Sequence, residues 1–292
     1  MSTIQRIFIP GSQWVYLKLY TGEKIADDIL TKAIAPILKT LQKKQYLKKW
    51  FFIRYSDPDF HLRVRLLVFD VQNIGEIVHL FYQKLHKLNQ YHLLWKVQLD
   101  SYNREWERYG KNLIEEAESV FYLDSECILS ILKKINSNEN YRWMVALKLI
   151  NELLSDFCFN IEVKQKLMED LSKSFKTEFG FNTSNSKQFN TKFRENKIVV
   201  EAVLNNTFYD KDFVSLSNPI KKRSKELIPI VEQIVIKSKK NGVNELLKSY
   251  LHMMIDRLFC SKNRMHEMIL YDFMYRYYTS EIAKKSIALK NK

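Results

Sequence analysis

The sequence predicts an α+β protein, with an N-terminal βαββαβ (ferredoxin-like) antiparallel sheet followed by a mainly helical C-terminal part. Three observations predict it. Stretches of strand-like alternation around Gln13 to Tyr20, Lys48 to Val68 and Tyr91 to Leu99 are interleaved with two stretches of helical period. From Ser125 onward the spacing of apolar residues is helical almost throughout. Glycine and proline number only 6 and 5 in 292 residues, so helix is the default between turns and collagen-like or low-complexity classes are excluded.

In chain order, QWVYLKLY alternates as a first strand, and Glu23 to Lys44 follows with Ile25, Ile29, Ile34, Ile37, Leu38 and Leu41 on one helical side. The stretch KKWFFIRYSDPDFHLRVRLLVFD, Lys48 to Asp70, holds two arms rich in β-forming residues around an Asp57-Pro58-Asp59 turn, the pattern of a hairpin. Its second arm alternates strictly, so His61, Arg63 and Arg65 share one face and Leu62, Val64 and Leu66 the other. Val71 to Asn89 is a second helix carrying Ile74, Ile77, Val78, Phe81 and Leu85, and Tyr91 to Leu99 closes the unit as a strand. In that topology both helices cover one face, the second hairpin arm runs near the middle of the sheet, and its cationic face looks away from the helices. Beyond a turn at 100–110, helices are expected from near Lys111 and over about 125–136, 140–158, 162–176, 187–205, 220–240, 243–260 and 264–284. Lys176 to Ser186 reads as a linker and the basic tail after Ala283 as a frayed end. The chain divides in sequence into a sheet region, 1–110, and a helical region, 111–292, expected to form one compact domain.

A formal charge of +14 points to an anionic partner or substrate, without choosing between RNA, a membrane surface, an acidic peptide and solubility alone. Cys127, Cys158 and Cys260 are odd in number and far apart, with no CxxC or Cys/His cluster, so neither a disulfide framework nor a metal site is expected. No apolar run approaches the roughly 18 residues of a spanning helix, and the N-terminus has no signal-peptide pattern. A cytoplasmic protein without a membrane span is expected.

Phosphate-binding loops, dinucleotide fingerprints, nucleophile elbows and HExxH zinc motifs are all absent. Three patches remain. The first is the His61, Arg63, Arg65 strand, where guanidinium forks can hold carboxylate or phosphate, or which is the solvated face of a half-buried strand. The second is Tyr102, Arg104, Glu105, Glu107, Arg108, Tyr109 and Gly110. It reads either as a self-satisfied ion network or as a turn that frees one arginine for a substrate anion while Gly110 lets the chain pass close by. The third is SYLHMMIDR, Ser249 to Arg257, with His252 and Asp256 on one helical side. Arg, His, Glu and Tyr suit proton transfer with anion stabilisation and need no cofactor.

These segments in this order, WVYLKLY, WFFIRYSDPDFHLRVR, YNREWERYG and SYLHMMIDRL, resemble the C-terminal elimination domain of lantibiotic dehydratases, also the fold of stand-alone thiopeptide-type bacteriocin biosynthesis proteins. The resemblance runs from Trp14 to about Leu258. It implies removal of glutamate from glutamylated Ser or Thr of a ribosomal precursor peptide, leaving dehydroalanine or dehydrobutyrine, by a cofactor-independent lyase. It also implies a separate tRNA-dependent glutamylating subunit as partner, with no direct nucleic-acid binding by this chain. Carried over, the family's catalytic residues fall on Arg63, Arg65, Arg108 and His252, while His61, Arg104, Tyr109 and Arg257 rank as substrate-binding or orienting. The sequence departs at Gly110-Lys111, where the family has a double glycine, and at Asp256, where it frequently has Asn. Two other functions compete: a pyridine synthase-like [4+2] cycloaddition on a dehydrated peptide, and a non-enzymatic basic module that docks leader peptide or tRNA.

Overall fold

The computed structural model describes residues 4–135, 138–238 and 242–290. The ends of the helices expected over 125–136 and 220–240 fall partly outside these residues. The protein is α+β with antiparallel sheets. Strands β1 (Ile7–Phe8), β2 (Trp14–Thr21), β3 (Leu47–Ser56), β4 (Phe60–Val68), β5 (Leu94–Leu99) and β6 (Tyr102–Asn103) are followed, among the described residues, by helices only. The main sheet has the order β3-β4-β2-β5, so β4 is an interior strand as expected, and its neighbours all run antiparallel to it or to β2. A second ladder, β1 with β6, has no place in the expected six-element plan.

The alternation decides the two faces. Leu17, Leu19, Phe52, Leu62, Val64 and Leu66 are all buried on one side. The helices between the strands supply their partners: α1 (Ala26–Asp28), α2 (Ala35–Lys43) and α3 (Ile74–Gln90). Of the predicted residues, Ile37, Leu38 and Leu41, and Ile77, Phe81 and Leu85, are buried, while Ile74 and Val78 are half-buried. Between α1 and α2 the helix widens into a π-helical turn, Ile29–Ile34, just ahead of Pro36. Proline has no N–H to donate and its ring crowds the preceding turn, so a regular ladder cannot pass through this point.

Helix α4 (Trp106–Tyr109) ends at Gly110, whose φ of +79° is open to glycine and strained for other residues. A Cβ on Gly110 would meet nothing within 4 Å, so what requires glycine here within the protein is the backbone conformation and not packing. The two helices expected on either side of Ser125 are one, α5 (Ile114–Ile135). Then follow α6 (Asn140–Asp156), α7 (Ile161–Glu178), α8 (Thr183–Leu204), α9 (Lys211–Ser215), α10 (Ser217–Lys237), α11 (Gly242–Leu258) and α12 (Asn263–Lys290). Asn160, Asn182 and Asp210 cap α7, α8 and α9 by accepting from Val163, Asn185 and Phe213 N–H groups. The Asn182 cap shortens the predicted linker, since α7 and α8 grow into it from both sides. The tail predicted to fray is also helical: Lys284 pairs with Glu281 and Glu201, and alanine and lysine are good helix formers.

By contacts the chain forms two compact units, unlike the linear division at residue 110. The first comprises Met1–Asn136 with Pro229–Ser261, and the second Ser137–Ile228 with Lys262–Lys292. The helix carrying His252 therefore belongs with the sheet. The second unit has its own core, including Leu147, Ile150, Leu153, Met168, Leu270, Phe273 and Met274.

Candidate active site

The site grows from the face of the main sheet opposite α2 and α3. Register sets Tyr16, Lys18 and Tyr20 of β2 beside Arg65, Arg63 and His61 of β4, with Phe51, Ile53 and Tyr55 of β3 on the other flank. Arg65 is 7% exposed and its guanidinium lies 4.5 Å from the Tyr16 ring, 4.7 Å from Tyr102 and 5.3 Å from Phe51. This aromatic cage favours a cation through the ring quadrupoles. Its Nε is buried without a hydrogen-bond partner, and among the described residues no carboxylate forms an ion pair with Arg65. A buried charge ordinarily has a counter-charge. Here an incoming anion can supply it.

Arg63, half-buried, stacks on Tyr55 at 3.4 Å and donates its Nε–H to Nε2 of His61 at 3.1 Å. His61 Nδ1 faces the Asp59 carbonyl at 2.8 Å, which assigns the proton to Nδ1 and leaves Nε2 as acceptor. His61 is fully buried and stacked on Tyr20, and burial, aided by Arg63, pushes its imidazolium below the ordinary histidine value. His61 is thus a neutral clamp on Arg63. Lys18, opposite Arg63, pairs with Asp100; burial works to raise that carboxyl, and Lys18 with the Ser101 N–H outweighs it and holds it below its usual value.

From this cage a run of ring contacts leads to the other candidates in the same unit. Phe51 meets Phe121 of α5 at 5.4 Å, and Phe121 meets Tyr109 at 5.1 Å and Tyr250 of α11 at 6.2 Å. Tyr109 stacks on Tyr250 at 5.9 Å, which joins the short helix of Arg108 to the helix of His252. Burial drives the Tyr109 phenol up to about 12. Arg108 is exposed, pairs with Glu105 at 3.6 Å and lies beside the Tyr109 phenol, whereas His252 is half-buried.

Two predicted substrate contacts are committed elsewhere. Arg104, 4% exposed, donates to both Glu118 oxygens at 2.7 Å and to the Gln5 carbonyl at 3.0 Å, with Tyr102 Oη also on Glu118 at 2.9 Å. The partners of Arg104 thus lie outside the second patch, Glu107 pairs with Arg6, and Arg108 pairs with Glu105 within it. Arg257 is fully buried, donates to the carbonyls of Phe52 (2.8 Å) and Met253 (2.9 Å) and faces Asp124 at 3.8 Å. Its neighbour Asp256 accepts from the Arg54 N–H at 3.2 Å, and Ser125 Oγ from the Phe52 N–H at 3.2 Å. β3 is an edge strand, and these three side chains pair the backbone groups it leaves open.

Sequence reasoning missed the cage itself. Tyr16 and Tyr20 alternate in QWVYLKLY as the β4 cations do, but only the pairing register shows that the two sets meet. Among the described residues no group of three or more His, Cys, Asp and Glu could hold a metal ion, and no helix is long and apolar enough to cross a membrane.

Fold and site together define an α+β protein whose main sheet carries a buried arginine caged by aromatic rings. The chain belongs to the family described as "Lantibiotic biosynthesis dehydratase C-term", whose model matches residues 14–278. It is 24% identical over 283 residues to the nisin biosynthesis protein NisB of Lactococcus lactis subsp. lactis, covering 96% of this chain and 27% of that protein. Its fold is similar to that of the tRNA dependent lantibiotic dehydratase MibB from Microbispora sp. 107891, with TM-score 0.75 and 18% identity over 94% of this chain and 29% of that one. It is similar also to the pyridine synthase TbtD from thiomuracin biosynthesis, with TM-score 0.68 and 10% identity over 93% of this chain and 99% of that one. The chain thus spans about a quarter of the curated relative NisB.

Proposed function

We propose that this chain eliminates glutamate from glutamylated Ser and Thr side chains of a ribosomal precursor peptide, leaving dehydroalanine or dehydrobutyrine. The step removes the α-proton, forms the Cα–Cβ double bond and breaks the Cβ–O bond, so that glutamate departs as a carboxylate. It requires a proton carrier and positive charge where the enolate oxygen and the leaving carboxylate develop. Arg65 and Arg63 supply positive charge from β4, Arg108 supplies an exposed one from α4, and His252 moves the proton. Preorganised donors of this kind are worth about 2.7–4 kcal/mol each in a transition state. His61 holds Arg63 and Tyr109 holds the α4 turn, while Arg104 and Arg257 brace the elements behind them. The ester comes from a tRNA-dependent glutamylating partner subunit, and the chemistry takes place in the cytoplasm.

The observation that carries this reading is Arg65, caged, nine-tenths buried and without a protein counter-ion among the described residues. Purified protein given a glutamylated peptide should release free glutamate and yield dehydro residues in equal amounts. An ester left intact would refute the proposal.

A cycloaddition reading draws on the fold shared with TbtD over nearly the full length of both chains. Joining two dehydroalanines expels no glutamate, so that reaction gives the arginine cage no carboxylate to bind. Conversion of a dehydrated, thiazole-bearing peptide to a pyridine would favour this reading instead. A basic docking module predicts steeply salt-dependent binding of leader peptide or tRNA that survives Arg65→Ala.

A further inference from the structure

The second unit holds two lysines of equal burial and unequal partnership. Lys164 and Lys148 are each 8% exposed. The Lys164 ammonium has three oxygen acceptors: Ser155 Oγ at 2.6 Å, Asn151 Oδ1 at 3.2 Å and the Asn151 carbonyl at 3.3 Å. Lys148 has one, Asn206 Oδ1 at 2.7 Å, and no carboxylate among the described residues lies within ion-pair distance. The missing acceptors coincide with open space, because Lys148 lines a cavity of about 460 Å³ built entirely from this unit. A buried ammonium donates up to three hydrogen bonds, and leaving them unmade is unfavourable.

The rest of the lining narrows what fills the space. Val203, Phe208 and Phe213 give apolar walls, and Lys221 adds a second cation. Glu152 also lines the cavity and its charge acts on Lys148, so one net positive charge remains, which suits a monoanion better than a phosphate dianion. Cavities of roughly 300–1,000 Å³ with apolar walls and few convergent polar groups are the usual form of small-ligand sites. We propose that this cavity binds a carboxylate with an apolar body, its oxygens on the Lys148 ammonium and its hydrocarbon against Val203, Phe208 and Phe213. The carboxylate comes from a free small acid or from an acidic residue of a peptide beside an apolar one.

Ligand-observed NMR and calorimetry on the full chain test this with N-acetyl-phenylalanine, its neutral amide, and an acetyl-Phe-Glu-amide peptide. The acid should bind at millimolar concentration or below, and the amide about tenfold or more weaker, the loss expected for one charged hydrogen bond. Lys148→Met should weaken the acid to the level of the amide. Lys221→Glu, at an exposed position, should weaken it too with the same Tm as the natural chain. Competition and tighter binding by the peptide assigns the site to a peptide carboxylate; binding of the free acid alone assigns it to a small molecule. No binding of either carboxylate, equal binding of acid and amide, or unchanged binding in Lys148→Met would overturn the proposal. None of these readouts depends on glutamate elimination.

Discussion

Arg65, His61 and Arg104 show how three cationic or titratable residues of one compact unit come to different tasks. Among the described residues Arg65 has no counter-ion, so Arg65→Lys loses the planar fork that the cage is shaped for, and elimination should slow by about 10²-fold or more with little change in Tm. Arg104 is the reverse case. Arg104→Met leaves Glu118 buried without its bidentate partner and should destabilise the fold by about 3–5 kcal/mol, read as a fall in urea midpoint, with Glu118→Met in the same chain recovering much of it. His61 links stability to pH. The unfolded chain protonates this histidine near 6.5 and the native state only below that, so protons favour unfolding. Its contribution is whole above pH 6.5 and is lost as pH falls through the native value. His266 shifts in the same direction, so the His61 part is the acid-side loss of Tm that His61→Gln removes. The HxRxR spacing already puts three groups on one face, but only register and burial separate the caged arginine, the proposed anion holder, from the histidine clamp.

At the scale of elements, the edge of β3 explains why the late Asp256-Arg257 pair belongs to the fold. Arg257→Met leaves the Phe52 carbonyl and Asp124 without that guanidinium and should destabilise by about 3–5 kcal/mol. Asp256→Asn keeps an oxygen for the Arg54 N–H, so chemical denaturation should change by less than about 0.5 kcal/mol. The sequence made these elements legible where periodicity was strong: both arms of the hairpin, the apolar stripes of α2 and α3, and α11. It misled where a local signal competed with packing. The Asn/Ser/Thr cluster at 182–186 looks like linker, yet Asn182 is a cap and the rest is helix. The π turn before Pro36 and the short β1–β6 ladder carry no periodicity of their own, so neither could be read ahead of the structure.

For the whole molecule, the lesson is that linear order and spatial grouping differ. A sheet region and a helical region are visible along the sequence, but α11 returns across more than a hundred residues to join the sheet, and such pairings leave no trace in local spacing. That return brings the histidine helix into the unit that holds the arginine cage, with Phe121, Tyr109 and Tyr250 as the packed link between them. The most direct test of the central claim is a single-turnover reaction with a glutamylated precursor peptide, followed by mass spectrometry and glutamate release, for the natural chain and Arg65→Ala. The account predicts stoichiometric glutamate and dehydro residue from the natural chain, and a rate about 10²-fold or more lower for the variant. Glutamate release at the same rate from both, or an intact ester with both, would contradict it.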